Sequence, residues 1–297
     1  MPFEVGPRPS LALDCRNTLG ESILWDARAQ QLWWVDIQEA QIWSWNPFLN
    51  DSPRILQLDE RVGAIGLRAG RGLVAALQSG FARFDPDSGR VERMVEIERD
   101  LATTRLNDGR VDPAGRFICG GMDEGNPQRA ISAVYSLDAA GKVRRLIQEI
   151  ACANSICWSP DGATLYFTDM PTRRIDAFDY DVASGAVSNR RLFADLAREP
   201  GLADGSVVDA EGCLWNAQWG GGKLVRYSPD GAVDREIELP VTNPTCLTFG
   251  GRDLDILFVT SAWVGLDDAA RAGQPTAGSL FAMKPGVRGR PENRFAG

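Results

Sequence analysis

Short β-forming runs separated by turns, with almost no helical period, organise this chain. In "ESILWDARAQQLWWVDIQEAQIWSWNP" (21–47) a polar residue leads an apolar run. A turn follows, then Leu32-Trp33-Trp34-Val35, a second turn, and a further run ending in Trp45. The same order recurs in "NDGRVDPAGRFICGGMDEG" (107–125), which continues into "SAVYSLDAAG" with Tyr135 as its closing aromatic. It recurs again in "NSICWSPDGATLYFTDMPTRRIDAFDY" (154–180), closing on Phe178, and in "DGSVVDAEGCLWNAQWGGGKLVRYSPDG" (204–231), closing on Tyr227. Two weaker copies are "GAIGLRAGRGLVAALQSGFARFDPDSG" (63–89) and "TCLTFGGRDLDILFVTSAW" (245–263) with "GSLFAMKPG" after it. Apolar runs bounded by Gly, Pro, Asn and Asp read as strands. One short helix is predicted near Leu266–Ala272.

Six units at a spacing of roughly 40–50 residues fall in the propeller range. A blade cannot bury both of its faces alone, so neighbours must cover it. That requirement accounts for aromatic residues recurring at equivalent places. The predicted fold class is all-β: a six-bladed β-propeller with four-stranded antiparallel blades. The leftover segment "LALDCRN" before Glu21 is predicted to pair with the last blade and close the ring. Residues 1–297 are expected to form one propeller domain, with short irregular tails over about 1–10 and 286–297. An open β-sandwich array is the rival arrangement, and six similar units without immunoglobulin-type cysteine spacing argue against it.

Composition narrows the function. The net charge is -8 and no Lys/Arg cluster interrupts it, which argues against nucleic acid and against an anionic membrane surface as partners. No segment approaches the ~20 apolar residues of a membrane span, and "MPFEVGPRPSLALDCRN" has no signal-peptide pattern. The six cysteines form no CxxC pair and several sit inside apolar runs. They read as reduced core residues of a cytoplasmic protein. Histidine is absent altogether. Its absence removes Ser-His-Asp and Cys-His catalysis, HExxH zinc sites and histidine general bases together.

The polar residue that opens each unit carries the candidate chemistry. In a propeller the innermost strand of every blade lines the central channel, so equivalent positions converge on the axis. Aligned on the turn that follows, these positions are Glu21, Asn107, Asn154 and Asp204, with Gly63 in the second unit and Thr245, near Asn243, in the last. Taken singly, "NDG", "ANS" and "ADG" are ordinary turn sequences. Glu21 has no such explanation, and the shared register favours a common target. Two carboxylates and two amides gathered there need a cation to offset repulsion and desolvation. All-oxygen donors suit Ca²⁺, Mg²⁺ or Mn²⁺, while Zn²⁺ and Fe²⁺ are less usual with oxygen alone. Asp26, Asp112 and Asp209 fall at the second turn of their units and read as blade-edge turn residues, not ligands.

Four motifs in order, "LGESILWD" with "WWVDI", "RLNDGRVDPAGR", "ANSICWSPDG" with "TLYFTD", and "DGSVVDAEGCLW" with "WGGGKLVRYSPDG", resemble the SMP-30/gluconolactonase/luciferin-regenerating family, which includes regucalcin and bacterial sugar lactonases. The resemblance spans roughly residues 12–285. It implies a six-bladed propeller with one divalent cation on the axis, held by Glu21, Asn154 and Asp204. It further implies substrate contacts from Arg105 and Asn107, and Asp204 as general base. Two departures stand out. Asn154 is followed by Ser155 where the family commonly has glycine. "GGMDEG" offers Asp123 and Glu124, with Gly125 at the place of a second family glutamate.

The reaction so implied is hydrolysis of a sugar (aldono-) lactone. The cation would polarise the lactone carbonyl and activate a water. Asp204 would take the water's proton, and Arg105, Asn107, Asp123 and Glu124 would contact the sugar. Trp219 in "QWGGG" would offer an apolar ring face. The partner is then a small-molecule lactone, and the chain is expected to act as a monomer or weak oligomer. Two alternatives remain open: a lactonase or esterase for non-sugar esters, and a non-catalytic Ca²⁺-binding regulatory propeller. The lack of histidine weighs against the first, and the second gives Arg105 and Asn107 no role.

Overall fold

Burial along the strands grades from axis to rim. The first strand of each unit is largely buried, fully so in Val62–Leu67 and Ala153–Trp158. The outermost strand is less buried and in most blades charged, as in "VERMVE" (Val91–Glu96) and "VDREIE" (Val233–Glu238). A strand covered on both sides reads as a continuous hydrophobic run, whereas one facing water cannot.

The computed structural model describes residues 5–49 and 51–297. Those residues form six four-stranded antiparallel sheets, each built from consecutive strands except the last. The protein is a six-bladed β-propeller. The inner strands are Gly20–Asp26, Val62–Leu67, Thr104–Val111, Ala153–Trp158, Leu202–Val208 and Pro244–Gly250, in blades 1 to 6. Blade 6 takes its outer strand, Ser10–Leu13, from the N-terminus, paired with Leu280–Met283 as predicted. The expected helix is present at Asp268–Gly273, where the Asp267 side chain accepts from the Ala270 amide. No helix among the described residues is long and apolar enough to cross a membrane.

The core is six apolar clusters, one for each junction between neighbouring blades. The junction of blades 6 and 1 joins Trp25 and Trp34 to Phe258 and Ala282, so the ring closes through aromatic packing. Stacking of Trp25 on Phe258, with centroids 6.3 Å apart, crosses the same seam. The C-terminal segment, expected as an irregular tail, is irregular but packed. Phe295 is fully buried and bridges to Arg68.

Candidate active site and cation centre

A bulge in every inner strand builds the site. Pairing with the second strand slips between Glu21 and Leu24, Val62 and Ala64, Leu106 and Gly109, Asn154 and Cys157, Ala203 and Ser206, and Pro244 and Leu247. An extra residue unpairs the backbone and re-aims the neighbouring side chains. Here it does so at one end of the channel in all six blades. Ser22 and Ser155 take left-handed backbone angles, φ 50° and 62°, directly after Glu21 and Asn154. That conformation is strained for serine and not for glycine. The serine hydroxyl offsets the strain: Ser22 Oγ accepts from the Ile65 amide of blade 2, and Ser155 Oγ donates to the Asp204 carbonyl of blade 5.

These bulges set Glu21 and Asp204 facing one another, and Ser155, directly after Asn154, is tied to the Asp204 carbonyl. The Glu21 and Asp204 carboxyls are both buried and act on one another. Burial, then the charge of Asp108, pushes Glu21 up to about 8. Asp204 is also raised well above the carboxylate range, by burial first and then by Glu21 and Asp108. Two carboxylates in one buried place share a proton when nothing else neutralises them. The site is therefore an anionic pocket short of positive charge. Its donors are hard oxygens from two carboxyls and an amide, which fits a divalent cation of the Ca²⁺, Mg²⁺ or Mn²⁺ kind.

A polar wall adjoins the pair. Arg105 is 4% exposed and donates from Nε to Glu124 Oε1 (3.0 Å) and from Nη1 to Asn107 Oδ1 (2.6 Å). Asn107 Nδ2 donates to Asn154 Oδ1 at 3.2 Å and to the Ala153 carbonyl at 2.9 Å. Glu124 is held from its other side by Arg61, through bonds of 2.9 and 2.6 Å. Arg61, Glu124, Arg105, Asn107 and Asn154 thus form one continuous chain of polar contacts. Burial acts to raise Glu124, and the two arginines together outweigh it and hold the carboxyl below its ordinary value.

Two of the candidate residues stand apart from this chain. Asp123 is 0% exposed. Its oxygens accept from the amides of Gly125 and Arg129 and from the Thr103 hydroxyl. Those bonds, with Thr103 the largest, hold it down at about 2. Its oxygens are engaged by the loop, which makes it a loop cap in this geometry. Trp219 is half-buried and packs, with Val264, against the cluster containing Leu19 and Ala262. Asp108, which the repeat pattern does not single out, faces the pair. Its Oδ2 accepts from the Ile156 amide (2.9 Å), and its charge raises both Glu21 and Asp204. The tripeptide "NDG" hides it, because that sequence reads as a turn.

Asp209, Glu211 and Cys213 also bring ligand-type atoms within 4.8 Å of one another. The Arg226 guanidinium already occupies that group, at 2.7 Å from Asp209 and 2.6 Å from Glu211. Trp215 Nε1 donates to Asp209 as well. The cluster reads as an ion-pair network in which Arg226 also binds Asp234, and it lies at the other end of the strands from Glu21. Asp26, Asp112 and Asp209 all accept from turn amides, in keeping with their reading as turn residues.

Known proteins share this architecture. The profile of the SMP-30/Gluconolactonase/LRE-like region matches residues 19–263. L-Arabinolactonase of Azospirillum brasilense is 43% identical over 291 residues, covering 97% of this chain and 95% of that protein. A 6-deoxy-6-sulfogluconolactonase of Pseudomonas putida is 35% identical over 282 residues, covering 95% and 96%. Among solved structures, a calcium-binding protein, regucalcin, from Agrobacterium tumefaciens has a TM-score of 0.92 at 32% identity, covering 99% of this chain and 98% of that one.

Proposed function

The chain belongs to the SMP-30/gluconolactonase/LRE-like family, and from that premise we propose that it is a sugar lactonase acting through one divalent cation at Glu21, Asn154 and Asp204. The observation that carries the proposal is a pair of buried carboxyls, Glu21 and Asp204, at the same end of the channel as the hydrogen-bonded Arg105–Asn107–Asn154 chain. The substrate class comes from the relatives named as lactonases of sugars. Calcium is the first candidate for the ion, since a relative of the same fold is described as calcium-binding.

Glu21 and Asp204 would hold the ion through carboxylate oxygens and Asn154 through Oδ1. When bound, such a cation polarises the lactone carbonyl and makes a neighbouring water more acidic. The remaining work falls to side chains. Once the proton shared with Glu21 is displaced, Asp204 is ionised and accepts a proton at its carboxylate as general base. Arg105 presents guanidinium donors to the sugar oxygens, and the Nε bond to Glu124 fixes the plane of the guanidinium. Asn107 positions a second sugar oxygen from the same wall. Trp219 offers its half-buried ring at the rim. Asp123 takes no part.

Aldonolactones of five- and six-membered rings, assayed after chelation and after metal is restored, test the proposal. Activity should vanish on chelation and return with Ca²⁺ or Mn²⁺. Asp204→Asn should lower kcat by at least about 10²-fold, the range for loss of a general base. Full hydrolysis by the chelated enzyme would end the cation-dependent reading. A purely calcium-binding role would appear as tight metal binding with no lactone turned over, and it leaves the Arg105–Glu124–Arg61 wall without a purpose.

A further inference from the structure

Cys152 is 5% exposed, yet it belongs to none of the six apolar clusters. A buried cysteine ordinarily packs as a small hydrophobe. This one lies among amides and charges at the mouth of blade 4. Its backbone is fixed on both sides: the amide donates to Asp169 Oδ1 (2.8 Å), and the carbonyl accepts from the Met170 amide. The side chain is thereby held toward two asparagines. Asn154 Nδ2 lies 3.8 Å from Cys152 Sγ, and Asn107 Nδ2 lies 4.0 Å from it. For Asn154 Nδ2 the sulfur is the one acceptor among the described residues.

An asparagine amide carries an oxygen at one end and a donor NH₂ at the other. Only the oxygen end can ligate a cation. Something must therefore choose between the two flips, and the surroundings of Asn154 offer a sulfur acceptor for the nitrogen and the Asn107 donor for the oxygen. We propose that Cys152 is a positioning residue, whose sulfur turns the Asn154 amide so that Oδ1 is the end presented for cation binding. The inference rests on the cation site proposed above. Asn107 is tied to the same sulfur, so the cation ligand and the substrate wall share one anchor.

Calorimetric titration of the metal-stripped full chain with Mn²⁺ alone and with Ca²⁺ alone tests this, using wild type, Cys152→Ala and Cys152→Ser. Cys152→Ala should bind Mn²⁺ about 10-fold more weakly, the low end for loss of an outer-shell partner. Cys152→Ser keeps an acceptor and should stay within about threefold of wild type. The metal-free melting temperature of Cys152→Ala should stay with that of wild type, which separates positioning from general destabilisation. Equal Mn²⁺ affinity in wild type and Cys152→Ala overturns the inference while leaving the cation site standing. No binding by wild type overturns both. A thiolate-to-metal charge-transfer band in the Co²⁺-loaded wild type, lost in Cys152→Ala, would make the sulfur a direct ligand and also overturn it.

Discussion

Glu21 and Asp204 each give up solvation to face the other across the channel, and the result is a pH dependence. Both are raised, Glu21 from 4.5 to about 8, with burial the first cause in each case. A carboxyl raised by folding contributes stability that is complete below its unfolded value and is lost as pH climbs through its folded value. The metal-free chain should therefore lose stability from about pH 5 to about pH 8. Added Ca²⁺ should raise the melting temperature most at the alkaline end, where no proton competes for the pair. Thermal melts with chelator or Ca²⁺ across that range check this, and Glu21→Gln should flatten the metal-free curve. A wild-type metal-free profile that is level across the window removes the shared proton. The proposed ligands Glu21, Asn154 and Asp204 stand out in the sequence because they recur at one register in different repeats. The capping place of Asp123 is harder to see without the same comparison. Asp36 and Asp169 stand at the same end of the second strand in their blades, and each accepts from two backbone amides of the incoming loop. Asp123 stands at the same strand end, but it accepts amides from the outgoing loop, Gly125 and Arg129, and only the Thr103 hydroxyl from the incoming one, while its neighbour Glu124 pairs with Arg61 and Arg105.

At the level of the strand, the six bulges do two jobs: they aim side chains at the axis and they tie each blade to the next. Four junctions carry a hydrogen bond from the bulge. These run from the Ile65 amide to Ser22 Oγ, from the Ile156 amide to Asp108 Oδ2, from Ser155 Oγ to the Asp204 carbonyl, and from Thr245 Oγ1 to the Gly20 carbonyl. The other two use close backbone approach. A Cβ on Gly63 would lie 2.2 Å from the Leu106 carbonyl oxygen, and one on Gly205 would lie 2.8 Å from both Cys246 Cα and the Thr245 carbonyl oxygen. Backbone cannot swing aside as a flexible side chain can. Gly63→Ala and Gly205→Ala should each destabilise by about 1–3 kcal/mol, the range for overpacking, with Gly63→Ala the worse. Urea midpoints check this, and a midpoint unchanged in either variant shows that the junction has slack. Strands and turns are readable from alternation and Gly/Asn/Asp punctuation. The bulges are not, because a one-residue slip leaves the apolar pattern of a strand buried on both faces unaltered. That is also why Asp108 stays hidden in the sequence: only the slip turns it to the axis.

Across the whole molecule, the inner strands run the same way, so the channel has two different ends roughly 15–20 Å apart, one strand length. The end bearing Glu21 holds the proposed site. The other is crossed by the last ten residues, which touch every blade. Ala210 of blade 5 donates its amide to the Arg288 carbonyl, and Gly289 donates to Leu254 of blade 6. Arg290 reaches the Pro160 carbonyl of blade 4, and Asn293 the Val111 carbonyl of blade 3. Arg294 pairs with Asp26 of blade 1, and the Phe295 amide donates to Leu67 of blade 2. Inside the channel, Arg110 spans from blade 3 to the Ser206 and Leu247 carbonyls, with Glu292 beside it at 3.4 Å. Little in "VRGRPENRFAG" signals this, since a strap made of backbone bonds and ion pairs carries no apolar period. Its anchor is the single ring of Phe295, fully buried against the cluster that holds Phe81 and Phe117. Phe295→Ala should cost about 3–5 kcal/mol, as for a large aromatic removed from a packed core. Because the strap lies at the far end from Glu21 and Asp204, Ca²⁺ affinity measured well below the melting temperature should stay within about threefold of wild type, a shift under 1 kcal/mol. Chemical denaturation and calorimetry on the same variant separate the two quantities. Lost affinity with unchanged stability would mean that the strap acts on the site through the buried Arg110–Asp108 charges, instead of acting as a closure for the ring.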